Sequence, residues 1–345
     1  PRRSALVSRD RLTAITPLKV ISVGVLVMLV VSELVISGSL FAQSTLSTIL
    51  APLSILIIIA IGQAFVIGTG GIDLSVPATV TLTGVIILKA SEGKNSGLLE
   101  ALIIVAAVCV VIGFVNGVLV EGLRLNALVV TLATGQLILG FMRLYGGELL
   151  PASEVPPRLT SWTTDEIVGG VSYLFAIAVV VAVLGTLFLQ RFVQGRRLVA
   201  SSASERSAFM AGIAARRYRI LAYVLASLCY GLGGVLASGD VGTPDLTLGD
   251  PYLLLSIVAV VLGGAAVTGG RASPIATLLG AVFIFLLDYD LRVKGVSGGL
   301  REAVQGAVLV LGLSLVFLIQ NMPTVRNALG RLRGSSLPSD QSNAA

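Results

Sequence analysis

The chain contains no histidine, which removes the commonest general base and metal ligand together, and with them histidine-dependent hydrolytic triads and His-based zinc sites. Cysteine is scarce. Cys109 and Cys229 stand alone inside apolar stretches, away from any C-x-x-C spacing, and read as small packing residues. No G-x-x-x-x-G-K-S/T run occurs, so the amide-and-lysine cradle of a phosphate loop is missing and the chain is not expected to bind ATP itself. Charge is also sparse, at 12% of the 345 residues.

What is present is apolar. Hydrophobic residues make up 55% of the chain and mean hydropathy is +0.97, far above what a water-soluble domain carries. Apolar windows of about 20 residues, each long enough to cross a bilayer as helix, recur along the sequence without the short alternating segments of a β-barrel. The expected fold class is therefore an all-α integral membrane protein with about ten transmembrane helices, at 17–37, 46–67, 74–90, 99–120, 126–145, 168–190, 218–238, 253–268, 274–288 and 302–320. The first window follows Arg2, Arg3, Arg9 and Arg11 like a signal peptide. It is long for a signal core and no A-x-A-like site closes it, so it is expected to stay as a span.

The net charge of +6 comes from basic residues beside the apolar windows, which a membrane explains better than nucleic acid does. Residues 191–219 hold Arg191, Arg196, Arg197, Arg206, Arg216, Arg217 and Arg219 against the single acid Glu205. That segment is expected to be cytoplasmic, as are both termini if the span count is even. Loops 146–168 and 238–252, which carry Glu148, Glu154, Asp165, Glu166, Asp240, Asp245 and Asp250 with only Arg158, should face outward. Loop 288–301 is mixed in charge and decides nothing. The domain reading is a cytoplasmic segment 1–16, one transmembrane domain over 17–320 with a cytoplasmic segment 191–217, and a cytoplasmic, partly disordered tail over 321–345.

Four groups of residues stand out. Gly70-Gly71-Ile72-Asp73-Leu74-Ser75 interrupts the apolar run between the second and third spans. Its glycines permit a backbone break. Asp73 or Ser75 can cap the following helix, or the broken helix can edge a translocation path where amides and a carboxylate meet a polyol. Gly263-Gly264 opens a second glycine cluster that runs to Arg271 and reads as tight helix packing with a turn, or as part of the path. Gln63, Asn116, Thr131, Thr134 and Gln136 are polar residues inside apolar windows, able to join helices or to line a conduit. The stretch Leu198–Met210 looks like one helix between basic groups, either an amphipathic surface helix on anionic lipid or a docking helix for a cytoplasmic partner. Gly68, Thr81 and Gly84 recur 196 residues later as Gly264, Thr277 and Gly280, an echo near chance level.

Together these residues resemble the permease subunit of ABC importers of the ribose/galactose/xylose class, over nearly the whole chain. Gly70 to Val76 match that family's G-G-I-D-L-S-V-G block, with Pro77 in place of the last glycine. Val115-Asn116-Gly117 match its V-N-G block, Val130-Thr131-Leu132-Ala133-Thr134 its V-T-L-x-T block, and Leu262 to Arg271 its L-G-G-x-x-x-x-G-G-R block. In the docking segment Ser201 to Ser204 replace the usual G-x-N core, while Ala208, Gly212 and Ile213 fit. The acid of I-D-L-S favours sugar over the related branched-chain amino-acid permeases.

The resemblance implies a non-enzymatic transport subunit in a bacterial inner membrane, working as a homodimer or heterodimer for a sugar or related polyol. An extracytoplasmic binding protein would deliver the sugar, and no cofactor would sit on this chain, ATP and Mg being held by a cytoplasmic ATPase partner. The implied substrate path takes in Gly70, Gly71, Asp73, Ser75, Asn116, Thr131, Gly263 and Gly264, and ATPase coupling takes in Gly195, Glu205, Ala208 and Gly212. The alternatives are an ATPase-independent channel or secondary carrier, or the non-transporting half of a heterodimer.

Overall fold

In hydrocarbon every backbone polar group must be bonded within its own segment, so apolar windows of this length fold as helices. The structure, a computed structural model, describes residues 17–145, 154–266, 268–270 and 272–334, with side chains as far as Leu318. The expected segment 1–16, Glu148, Arg271 and the chain from residue 335 lie outside the described residues.

Helices α1 (Pro17–Val35), α2 (Gln43–Gly68), α3 (Val76–Ser91), α4 (Leu98–Gly117) and α5 (Ala127–Leu144) are followed by a short α6 (Pro157–Thr164). Strands β1 (Glu166–Val168) and β2 (Val171–Ser172) form a small antiparallel hairpin. Then come α7 (Tyr173–Arg191), α8 (Val193–Ala203), α9 (Glu205–Met210), α10 (Ala215–Val241), α11 (Tyr252–Leu262), α12 (Pro274–Val293) and α13 (Gly298–Gly334). Among the described residues eight helices are long and apolar enough to cross a membrane, and α3 and α11 are shorter apolar helices. These ten helices coincide in order with the ten expected windows.

Three expectations change. Residues 166–172 form the hairpin, so α7 begins at Tyr173, where Ser172 Oγ accepts from the Phe175 amide and caps the helix. The stretch Leu198–Met210 is two helices, because Ser204 is extended and its hydroxyl caps a new start at Glu205. The last helix runs on from the expected span at 302–320 to Gly334.

Helix α2 is the axis of the molecule: 94% of its spanning window is buried, against 22% for α5. It has no polar face along Ile55 to Ile61, which are fully enclosed by α10, α7, α11 and α12. Lipid tails are as apolar as isoleucine, so helices associate here through close packing rather than through the hydrophobic effect. Helix α10 supplies it. A Cβ at Gly231 would run into Cys109 of α4, at Gly233 into Ile59 of α2, and at Gly234 into Thr83 and the Val80 carbonyl of α3. Gly113 of α4 lies in the same way against the Tyr223 and Val224 backbone of α10.

Helices α3 and α11, with 16 and 11 residues, span about 24 Å and 16 Å at 1.5 Å per residue, less than the hydrocarbon thickness of about 30 Å. Each is one arm of a broken pair, α2 with α3 across residues 69–75 and α11 with α12 across residues 263–273. The two breaks touch: the Gly270 amide donates to the Gly68 carbonyl at 3.0 Å, and a Cβ on Gly269 would meet the Gly70 amide nitrogen.

Gly234→Ala is expected to lower the melting temperature of the purified protein in detergent, because overpacking costs about 1–3 kcal/mol. Gly140→Ala, at a site with open space, is expected to leave it unchanged or raise it slightly, since Ala exceeds Gly in helix propensity by about 1 kcal/mol.

Candidate functional site

The turn after α2 is built by helix-ending chemistry. The Gly71 amide donates to the Val66 carbonyl and the Gly70 amide to the Ile67 carbonyl. That is the paired 6→1 and 5→2 pattern which requires a left-handed residue after the helix, and Gly70 adopts it with φ +90°. Helix α11 ends in the same way, with Ala265 donating to Val260, Gly264 to Val261, and Gly264 at φ +87°. Gly212 does the same service after α9. Three of the glycines expected to form functional sites therefore have a backbone reason to be there.

Asp73 is 1% exposed. Its Oδ1 accepts from the Ser75 amide at 2.8 Å and from the Ser75 hydroxyl at 2.6 Å. Ser75 occupies the cap position of α3 without capping it through its side chain. Its hydroxyl accepts instead from Asn116 Nδ2 on α4 at 3.2 Å. From α2, Gln63 donates to the Asp73 carbonyl at 3.3 Å, and from α10 the Tyr230 hydroxyl donates to Gln63 Oε1 at 2.6 Å. On the third side the Leu74 amide donates to Thr131 Oγ1 of α5 at 2.9 Å, and the Thr131 hydroxyl faces the Ala127 and Ile72 carbonyls. Asn126 caps that helix through the Leu128 amide. Gly71 has no side chain because the Tyr223 hydroxyl of α10 fills the place where a Cβ would be.

The turn is thus held by α2, α4, α5 and α10 together. Six of the expected path residues, Gly70, Gly71, Asp73, Ser75, Asn116 and Thr131, come together in this one network. Neither Asp73 nor Ser75 caps α3 through a side-chain bond; Asp73 closes the turn onto Ser75 instead. Two buried polar atoms in this region, Asn116 Oδ1 and the Tyr223 hydroxyl, have no hydrogen-bond partner.

Gly263 and Gly264 stand apart from that network. Gly263 lets the end of α11 pack on the backbone of Ala276 and Thr277 in α12, and Gly264 lies against Pro17. Both line a cavity of about 480 Å³ with Thr186, Gln190 and Ser273.

The docking residues divide similarly. Gly195 allows α8 to pack on the Phe188 carbonyl of α7, and Ala208 is buried at 3% exposure, so its side chain faces inward. The large apolar side chains that α9 exposes are Phe209 and Met210, at 77% and 81% exposure. Phe209 and Ile213 line an open cavity of about 790 Å³ with Glu205, Arg124, Arg206, Arg216 and Arg217.

Two groups escaped the sequence reading. Tyr223 and Tyr230 count as apolar in a hydropathy window; their i, i+7 spacing, which puts both on one face of α10, was the available signal. At the opposite end of the bundle, loop 288–301 decides more than its mixed charge suggested. Buried Asp288 accepts from Arg301 Nη1 at 3.0 and 3.1 Å, from Arg292 at 2.9 Å and from Gln305 at 2.9 Å, which pins α13 to α12. The Asp288-x-x-x-Arg292 spacing was the signal for it. Asp290 accepts from Ser32 of α1 at 2.8 Å. In the loop before α11, partial burial pushes the Asp250 carboxyl above its usual range, an effect that Arg143 opposes.

Asp73→Ala leaves the Ser75 amide and hydroxyl without their acceptor and is expected to destabilise the protein by about 1–3 kcal/mol. Asp73→Asn keeps one acceptor oxygen and is expected to cost less; thermal unfolding of the two variants checks the order.

A family profile described as "Branched-chain amino acid transport system / permease component" matches residues 45–313. The probable ABC transporter permease protein y4mJ of Sinorhizobium fredii is similar, at 31% identity over 75% of this chain and 77% of its own length. The ribose import permease protein RbsC of Escherichia coli is 29% identical over 84% of this chain and 90% of its own. The autoinducer 2 import system permease protein LsrC of an Enterobacter species is 32% identical over 77% of each chain. No solved structure matches. With a match over well more than half its length and a multi-helical membrane fold to go with it, the chain belongs to this family of transport-system permease components.

Proposed function

We propose that this chain forms, with a second permease copy, the membrane path of an ATP-driven bacterial importer for a sugar or related polyol. ATP is hydrolysed on a cytoplasmic partner, and an extracytoplasmic binding protein delivers the substrate. The substrate class rests on the relatives, which are named for import of ribose, galactose and methyl galactoside, fructose and autoinducer 2.

The observation that carries the ATPase partnership is the tip of α9. Two large apolar side chains project at the end of the bundle bounded by the basic 191–219 segment, beside an open cavity rimmed by four arginines and Glu205. Apolar surface framed by charge in this way marks a protein contact. A cytoplasmic subunit seated there would press directly on α9 and, behind it, on the start of α10.

In this reading Asp73 acts by holding the turn at which α2 stops and α3 starts. A turn tied to four helices moves only when those helices move, so its network transmits a rearrangement of the bundle to the path. The polar groups in it are amides, hydroxyls and one carboxylate, which suit a neutral, heavily hydroxylated substrate. A secondary carrier has less support, because the acid–base pairs among the described residues, Asp288 with Arg292 and Arg301 and Glu121 with Arg219, sit near helix ends.

Cysteine at Phe209 or Met210 is expected to crosslink to a co-purifying ATPase subunit in native membranes, while cysteine at buried Ala208 is not. Labelling of the first two positions from outside intact cells would overturn the orientation. Asp73→Ala, at matched expression, is expected to lower sugar uptake; unchanged uptake would confine Asp73 to stability. The substrate itself is read by finding which of ribose, galactose or fructose raises the melting temperature of the co-purifying binding protein.

A further inference from the structure

We infer that Arg219 is a positioning residue for transport, linking the docking helix α9 to the turn at Asp73; this deepens the function proposed above and rests on it. Arg219 lies in the second turn of α10 and is mostly buried, with 17% of its side chain exposed. A cation so placed needs partners to offset its lost hydration, and three elements supply them. Nη2 donates to the Ser201 carbonyl of α8 at 2.8 Å. Nη1 meets Glu121 at 3.4 Å, itself 13% exposed, at the end of α4. The same nitrogen is 3.9 Å from Glu205, the first residue of α9.

Glu205 is half exposed, and Arg124 also reaches it, at 3.8 Å. Its loyalty is therefore divided at the surface where a partner would sit. A subunit covering this spot removes water from the Glu205–Arg219 contact and strengthens it, since charge pairs gain as the local dielectric falls. That change reaches the turn by two routes that begin at Arg219.

The first runs through Glu121. Glu121 belongs to a single π-helical turn, Val118–Gly122, that closes α4 with the Leu123 amide bonded to Val118. Such turns are rare, carry one extra residue against the α repeat and recur at functional sites. Reverting the turn to α geometry would swing Glu121 about the helix axis relative to Asn116, two residues before the turn, whose amide holds Ser75 and through it Asp73. The second route runs along α10 itself. Tyr223 follows Arg219 by four residues, on the same face, and its hydroxyl sits against Gly71. One guanidinium thus meets the start of the docking helix on one side and, on the other, the π-helical turn that follows the turn's α4 wall, while its own helix carries Tyr223 to Gly71.

The test uses the full complex reconstituted in nanodiscs with its ATPase and binding protein, and compares Arg219→Lys, Arg219→Gln and Glu121→Gln with the unmodified chain. Two quantities are read: ATPase stimulation by sugar-loaded binding protein, and crosslink yield from Met210→Cys to the ATPase. Stimulation is expected to fall by a factor within the usual allosteric range, about 5–150-fold, with crosslink yield unchanged, and Arg219→Lys is expected to retain more stimulation than Arg219→Gln. Parallel loss of crosslinking and stimulation would make Arg219 a mere anchor for α9 and overturn the inference, as would unchanged stimulation in all three variants. An unmodified chain with no crosslinked ATPase would instead overturn the proposed function itself. If the glutamine variants fail to assemble, amide exchange decides: ATPase docking is expected to change protection at Leu74 and Ser75 in the unmodified complex and to change it less in Arg219→Lys, and equal changes in both overturn the link.

Discussion

Close approach of neighbouring helices to the glycines of α10 is the constraint from which the rest of this structure follows. Gly231, Gly233 and Gly234 let α10 touch α4, α2 and α3 within a single turn, and Gly113 returns the contact from α4. In lipid such contacts replace the hydrophobic effect as the source of helix association, because apolar side chains gain nothing by leaving apolar tails. Small residues on one helix therefore fix the positions of three others, and the height at which they fix them decides which polar side chains face one another.

The polar network is a product of that registration. Tyr230, one position before the glycine cluster, meets Gln63 of α2, and Tyr223 two turns away meets the break after α2. Asn116 and Thr131 arrive from α4 and α5 to close the remaining sides. Each donor and acceptor buried here would be costly without its partner, so the network accepts little deviation from one arrangement of four helices. Removing any member exposes the others to that cost, which is why a turn of seven residues is shared among so many elements.

Much of this was legible in the chain, and the reasons are specific. The number of spans could be read because hydropathy over about 20 residues is a strong signal, and even α3 and α11 announced themselves through Gly70-Gly71 and Gly263-Gly264 at their ends. The importance of residues 70–75 was legible from a carboxylate where none belongs. What Asp73 does there was not, because the competing explanations differ only in which atoms lie within 3 Å, and those come from distant parts of the chain. The tyrosines of α10 were missed because a hydropathy window scores a phenol as apolar, and the Asp288 cluster because its partner Arg301 lies beyond a helix boundary. The division of α8 from α9 was missed because Ser204 reads as easily inside a helix as at its cap. The packing of Gly263 against α12 and of Gly264 against Pro17 of α1 was not legible, because those partners are set by tertiary contact and not by spacing.

The short length of α11 has a consequence for how the chain is made. Eleven apolar residues are too few to partition stably across a bilayer by themselves, and the irregular residues that follow would leave amides and carbonyls unbonded in hydrocarbon. One of those groups, the Gly270 amide, finds its partner in the break after α2, at the Gly68 carbonyl. Segments about two hundred residues apart must therefore meet before that bond forms. Biogenesis of this chain thus includes one pairing, between the two breaks, that insertion of single helices cannot complete by itself.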